Sequence, residues 1–430
     1  MLRAFYRTPV PRRHGYDTQG FSRLRGAFRR HLSTAPVSMT DRLTIMMAAR
    51  NAARTIERAV RSCAGETCVP LLLIDDHSTD DTVARALAAS SGALRVIPAP
   101  DPGGVPTARQ AGLDAVETEF ATWLDADDEW VPGRMPTMIS ALESGCDVVV
   151  DSFDLHDGAT GAWLRRLAAP PFLQVPNGSL RLFERNFLPG DSPVGFRVST
   201  FRQAGGYDAA VYGPESYDLL LRAVARGARF AWRETVGYRI FAYPESVSRN
   251  MTRQRAALAT ALRKHSYDSV RQLYARAGYS ARIAAWALVS MALFRGEPDA
   301  ALRFLDDASP VDTDPTEVLE PDGPWPFGEG WRRSFTRGVA LLLLDDRNAD
   351  ALDACRRAEA IEPTAEGANN LGVALARSGH IAEAREAWAS AETRFPGYSD
   401  PRQNAAAPEP SAITTHPLRR HSSRTDYASS

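Results

Sequence analysis

Lysine is almost missing from this chain of 430 residues: lysine and arginine together number 51, and Lys264 is the only lysine. In an alanine- and arginine-rich chain that skew points to genome composition, not to a mechanism. Cysteine is scarce too, at Cys63, Cys68, Cys146 and Cys355. One Cys-x4-Cys pair without nearby histidines is a poor zinc pattern, and the four read as buried free thiols in a reducing cytosol. No run approaches 18 consecutive apolar residues, which excludes a membrane-spanning helix from the expectations. The first residues also lack the apolar stretch of a secretory signal. A net charge of −1 excludes a molecule built as a whole to coat nucleic acid. With 44% hydrophobic and 24% charged residues, the chain is neither collagen-like nor wholly disordered. At about 150 residues per domain, two or three domains are expected.

What charge there is lies unevenly. Residues 1–40 carry eight arginines against Asp17, so the remainder is acidic. This segment reads either as a mobile leader or as a basic arm, with Phe5, Phe21, Leu24 and Phe28, able to touch anionic lipid. The next stretch, 41–255, begins with strands and helices in alternation. Leu43 to Met47, Val69 to Ile74, Leu94 to Ile97, Phe120 to Leu124 and Val148 to Val150 read as strands. Helices are expected over Ala52–Cys63, from Thr79 through Ala88, over Thr107–Val116 and over Tyr217–Arg226. Such alternation predicts βαβ units and a mostly parallel sheet. Phe230–Trp232 and Val236–Ile240 read as further strands.

From 256 to 400 the pattern becomes helical. Ala351, Cys355, Ala358 and Pro363 recur as Ala384, Trp388, Ala391 and Pro396, each 33 residues later, and Gly338 and Gly372 are 34 apart. Small residues there let paired helices approach, and the proline ends the second. With Asn370-Leu371-Gly372, the pattern resembles a tetratricopeptide repeat. Residues 309–330 read as a loop and 401–430 as a disordered tail. Stacked hairpins of this kind imply a concave surface for a protein partner, or simple packing on the first domain.

Two predicted strands end in acids, Asp75-Asp76 and Asp125-Ala126-Asp127-Asp128. Five carboxylates then crowd the carboxyl edge of one sheet, where open α/β sheets bind ligands. Their repulsion calls for a cation or for hydrogen-bond donors. Hard carboxylate oxygens suit Mg2+ or Mn2+, which typically bridges to a diphosphate. No phosphate-cradling Gly-x-x-x-x-Gly-Lys loop is present.

Seven segments in order resemble the family 2 glycosyltransferases with the nucleotide-sugar-binding GT-A fold. They are the first strand with Asn51, Ile74 to Thr82, Gly104 to Gly112, Leu124 to Asp128, Gly205-Gly206-Tyr207-Asp208, Glu215 to Arg222, and Tyr238-Arg239 with Ser246 and Ser248. The resemblance implies a Rossmann-like α/β domain and an inverting transfer from a nucleotide-diphosphate sugar, a UDP-sugar first among them, to a hydroxyl acceptor. A cell-surface polysaccharide, a glycolipid or a natural product would qualify. It places Asp75 and Asp76, with Ala48, Arg50 and Asn51, around the donor nucleotide, and Arg109 along its pocket. Asp125 would hold the ribose or the metal, and Asp127 the metal. The base is sought in Glu215 or Asp218, because Ser216 stands where the family has its usual aspartate. Phe241 replaces a histidine of the closing motif. The acceptor site is expected in 151–200, including Phe153, His156, Trp163 and Phe187. Trp130 is read either as core or as a sugar contact.

Two other readings stand beside this one. Sugar-phosphate nucleotidylyltransferases share a related fold but need a glycine-rich loop where this chain has Ala48-Ala49-Arg50-Asn51. A catalytically degenerate transferase domain could instead position partners through the helical repeats. The expected location is cytoplasmic, with the basic arm allowing contact with the inner face of the membrane.

Overall fold

A computed structural model describes residues 42–63, 70–92, 94–188, 192–243, 251–308, 323, 325, 327–344 and 346–416, the side chains of 251–254 apart. The basic arm, Cys68, Ser246, Ser248, most of the 309–330 loop and residues 417–430 lie outside them. Strands β1 (Leu43–Ala49), β2 (Leu71–Asp75), β3 (Leu94–Pro98) and β4 (Phe120–Trp123) alternate with helices α1 (Ile56–Ser62), α2 (Thr82–Ala89) and α3 (Val105–Ala115). Their spatial order is β3-β2-β1-β4, all parallel. β1 therefore lies between the two strands that end in acids. Its register pairs Ala49 with Asp75 and Met46 with Trp123. Sequence alternation anticipated this half of the sheet, because strands buried on both faces read as short apolar runs.

The second half is mixed. It contains β5 (Glu129–Trp130), β6 (Val148–Asp157), β7 (Trp163–Leu167), β8 (Val194–Arg197) and β9 (Phe230–Ala242). The sheet continues β4-β8-β6-β9-β5, with β7 on β6; β8 runs antiparallel to both its neighbours. β9, expected as two short strands, is one strand of 13 residues parallel to β6, with register shifts near Ser152. Helix α4 (Arg134–Glu143) buries Met135, Met138, Ile139 and Leu142. After it come α5 (Pro171–Gln174), a 3-10 turn over Gly178–Phe183, α6 (Val198–Gln203) and α7 (Glu215–Ala225).

Nine helices follow among the described residues. They are α8 (Met251–Arg263), α9 (Tyr267–Arg276), α10 (Ala281–Arg295), α11 (Pro298–Ala308), α12 (Glu329–Leu342), α13 (Asn348–Ile361), α14 (Ala365–Arg377), α15 (Ile381–Arg394) and α16 (Ser399–Ala406). Side-chain oxygens of Ser266, Ser280 and Thr364 cap α9, α10 and α14 by accepting from backbone N–H groups three residues on. The recurring small residues have a packing role. A Cβ on Gly338 would stand 2.8 Å from Cys355 Sγ, and one on Gly372 would overlap Trp388 Nε1. Each repeat glycine thus admits its partner helix at the position that recurs 33 residues later. α8 to α10 share a core with the sheet region: Leu262, Val270, Tyr274 and Leu288 pack in one cluster with Phe183, Phe196 and Leu220. The tail departs from the expectation of disorder over its first half. Residues 401–416 are described, with Pro401, Asn404, Ile413, Thr414 and His416 buried. Low content of large apolar residues hid this, because polar pairing holds the segment.

Candidate active site at the carboxyl ends of the parallel strands

The chain leaves β2 through Asp76, whose N–H donates to the Ala49 carbonyl at 2.8 Å, and leaves β4 through Leu124, whose N–H donates to the Met46 carbonyl at 2.9 Å. The turn after β1 is thereby flanked by Asp75-Asp76 on one side and by Asp125 on the other. Asp76 is buried, and both its oxygens accept from the Gly104 N–H, at 2.9 and 3.0 Å. Arg50 Nη1 stands 3.9 Å away. Gly103 makes this closure possible: it has φ +78°, and a Cβ there would lie 2.5 Å from Asp76 Oδ1. Asp75 Oδ1 accepts from the Ser78 N–H at 3.3 Å. Asn51, with φ 51°, accepts from the Thr79 N–H at 2.8 Å and so ties the β1 turn to the β2 turn. Ala48 is half-buried near the end of β1.

Across β1, Asp125 opens a tight turn in which the Asp128 N–H donates to its carbonyl at 3.1 Å. Two residues from distant parts of the chain hold it. The Tyr238 hydroxyl oxygen on β9 accepts from the Asp125 N–H at 2.8 Å, and Ser192 donates to Asp125 Oδ2. Tyr238 belongs to the closing motif seen in the sequence, whereas Ser192 was missed and carries no local signal. Asp127 is half-buried, and burial together with the charge of Asp125 pushes its carboxyl up to about 6. Asp128 is not in the cluster's open face. It is buried, accepts from the Phe241 N–H at 2.9 Å, and burial drives its carboxyl well above the usual range.

Arg109, on α3 and nearly fully buried, joins the two ends of the site. Its Nη2 lies 3.3 Å from Asp125 Oδ1, and its Nη1 lies 3.1 Å from Glu215 Oε1 and donates to Ser216 Oγ. Glu215, at the start of α7, also accepts from the Gly213 N–H at 2.8 Å. Asp218 has a different setting. Its Oδ1 faces Lys264 Nζ at 2.8 Å and its Oδ2 faces Arg222 Nη2 at 2.6 Å, with no exposed surface. Phe241 lies under Arg58, whose guanidinium carbon is 3.7 Å from the ring centroid and which donates to the Asp127 carbonyl. His156 stacks on the same ring at 5.2 Å.

Among the described residues no group of three or more His, Cys, Asp or Glu side chains forms a metal cage. The donor set that is present, the carboxylates of Asp125 and Asp127, fits a hard divalent cation that shares its coordination with a diphosphate and water. Of the expected acceptor residues, Phe153 and Phe187 are buried in the two sheet-side cores, whereas Trp163 is 58% exposed. Trp130 is core, with Arg134 stacked 4.4 Å from its centroid. Cys146 and Cys355 are free thiols. No helix among the described residues is long and apolar enough to cross a membrane.

Comparison with known proteins places this geometry in context. Residues 44–203 match the model of glycosyl transferase family 2. The succinoglycan biosynthesis protein ExoU of Rhizobium meliloti is 32% identical over 210 residues, 45% of this chain and 60% of that protein, so the chain spans well under the full length of this relative. An uncharacterized glycosyltransferase of Mycobacterium tuberculosis is 32% identical over 161 residues, 37% of this chain and 68% of that protein. Among solved structures, S. aureus TarS 1–349 aligns with 82% of this chain and 91% of that one, at 14% identity and a TM-score of 0.43.

Proposed function

This chain belongs to glycosyl transferase family 2, and from that premise we propose that it transfers a glycosyl group, with inversion, from a nucleotide-diphosphate sugar to a hydroxyl acceptor. A UDP-sugar is the first donor to test. A growing surface polysaccharide is the acceptor suggested by the succinoglycan relative, with a glycolipid or a natural product as the other candidates. The observation that carries the reading is Arg109: one buried guanidinium holds Asp125 and Glu215 together at the sheet edge.

In this reading the turn of Ala48, Arg50 and Asn51 and the clamped Asp76 receive the donor base, and Asp75 supports them through the Ser78 turn. Asp125 and Asp127 are the residues that would hold Mn2+ or Mg2+. Such an ion, when bound, supplies positive charge to the departing diphosphate. The acceptor oxygen attacks the anomeric carbon as the bond from that carbon to the diphosphate oxygen breaks. The electron pair leaves with the diphosphate, and the hydroxyl proton passes to Glu215. Glu215 takes the role because Ser216, bonded to Arg109, is no base, and because both oxygens of Asp218 face cations. Arg109 positions Asp125 and Glu215 relative to each other.

Ser216 and Phe241 favour a second reading, a degenerate transferase domain that acts as a scaffold through its helical repeats. Thermal unfolding with UDP, GDP and dTDP, with and without Mn2+, separates the two. A ligand that binds only the folded state at 100 times its Kd stabilises it by about 2.7 kcal/mol. The expected result is a metal-dependent rise with one nucleotide, lost in Asp127→Ala. No rise with any nucleotide at millimolar concentration supports the scaffold.

A further inference from the structure

The helical region carries buried amides that glycosyl transfer does not use. Asn369, Asn370 and Asn404 are each at most 1% exposed. Burying a side-chain amide is unfavourable unless its donors and acceptor are met. Here a main chain meets them. Asn370 Nδ2 donates to the Thr414 carbonyl at 2.8 Å, and its Oδ1 accepts from the Thr414 N–H at 2.9 Å. Asn404 grips Ala412 in the same way, at 2.9 Å in both directions. Asn369 donates to the Ala412 carbonyl at 2.9 Å and to Thr414 Oγ1 at 3.2 Å. The two gripped residues are two apart, the interval at which an extended chain turns its N–H and C=O groups to the same side.

The side chains of the segment are read as well. Ile413 enters the core shared by α12 to α15. Thr414 Oγ1 lies 3.2 Å from Asp400 Oδ2 and bonds the Tyr398 hydroxyl. The His416 ring stacks on Phe294 with centroids 4.1 Å apart. Residues 411–416 belong to no helix or strand, and the connection to α16 runs through exposed Pro408 and Glu409. The segment is thus held by side chains of the groove, on a tether that lies in solvent.

We propose that the groove lined by α14 and α16 is a peptide-binding site that reads the main chain of an extended segment, and that residues 411–416 occupy it as a ligand in cis. A separate polypeptide competes for it when it carries a small residue, a branched apolar residue and a threonine in succession, followed two positions later by an imidazole or aromatic ring. Paired amides recognise the backbone, so affinity depends on an unsubstituted N–H at the threonine. Selectivity comes from the apolar and ring pockets.

The test uses the full chain with a protease site built into the 407–410 tether and cut after folding. A fluorescent peptide of sequence 408–416 is then added, and its anisotropy is followed as the nicked tail is diluted away. Exchange into the groove with a micromolar Kd is expected. The same peptide N-methylated at Thr414 should bind at least tenfold more weakly, and the peptide with Ile413→Asp likewise. Both changes lie in the peptide, so folding of the protein is not at issue. Retention of the nicked tail through gel filtration without exchange over a day would overturn the proposal, because the segment would then be an integral terminus of the helical stack. Equal affinity for the N-methylated peptide would overturn it too.

Discussion

Arg109 holds two carboxylates and a serine at once, so its substitutions should be costly in a particular way. A guanidinium makes several directed bonds from a rigid plane, which an ammonium cannot reproduce. Arg109→Lys should lower kcat/KM by about 100-fold or more while leaving the circular-dichroism spectrum unchanged, on the scale of losses seen when a reacting group is misplaced. Glu215 and Asp218 should separate cleanly. Glu215→Gln is expected to lower kcat by at least about 100-fold, the range for removal of a general base, and to retain the thermal shift given by nucleotide and metal. Asp218→Asn should instead destabilise the fold by about 3 kcal/mol in urea unfolding, since it leaves Lys264 and Arg222 without their buried carboxylate. At this scale the acids were legible because carboxylates at strand ends stand out in sequence. The bonds of Ser192 and Tyr238 to Asp125 were not, because they span 67 and 113 residues; Tyr238 stood in the closing motif, whereas Ser192 carries no local mark.

Elements repeat the lesson with different physics. The parallel strands were readable because each is a short apolar run closed by polar residues. α4 carries an apolar stripe at Met135, Met138, Ile139 and Leu142, yet Pro132, Gly133 and Pro136 around its start read as breakers. β8 and β9 were obscured because an antiparallel insertion and a 13-residue strand with shifted register do not follow the βαβ rhythm. The helical hairpins were visible through their glycines. Gly372→Ala would push a methyl group into Trp388 and should cost about 1–3 kcal/mol, the range for overpacking. Gly338→Ala meets Cys355 Sγ and should act in the same direction; differential scanning calorimetry of each variant checks both.

For the whole molecule, the seam between the sheet region and the helices contributes one part of the response of stability to acid. His265, between α8 and α9, packs edge-on against Phe183 with centroids 5.0 Å apart. Burial lowers its imidazole from 6.5 to about 4, helped by Arg222, Arg295 and Lys264 and opposed by Asp218. The folded state therefore keeps this ring neutral while the unfolded chain protonates it. Its contribution is complete above pH 6.5 and is lost as pH falls toward 4. His265→Gln should flatten that part of the urea-midpoint profile, and an unchanged slope would contradict the assignment. The general plan of a sheet followed by helices was legible in the sequence. The seam was not, because its contacts join Lys264 and His265 to residues of α7 and the 3-10 turn. Lys264 gives the seam one more property. Its ammonium stands 2.6 Å from Asp208 and 2.8 Å from Asp218, and no other ε-amine exists in the chain. Apart from the α-amine, a mild acylating reagent therefore has one target, an ammonium whose side chain is 25% exposed and which Asp208 and Asp218 both engage. Acylation removes its charge and so breaks both ion pairs at a single position, and mass spectrometry counts the product without introducing a probe.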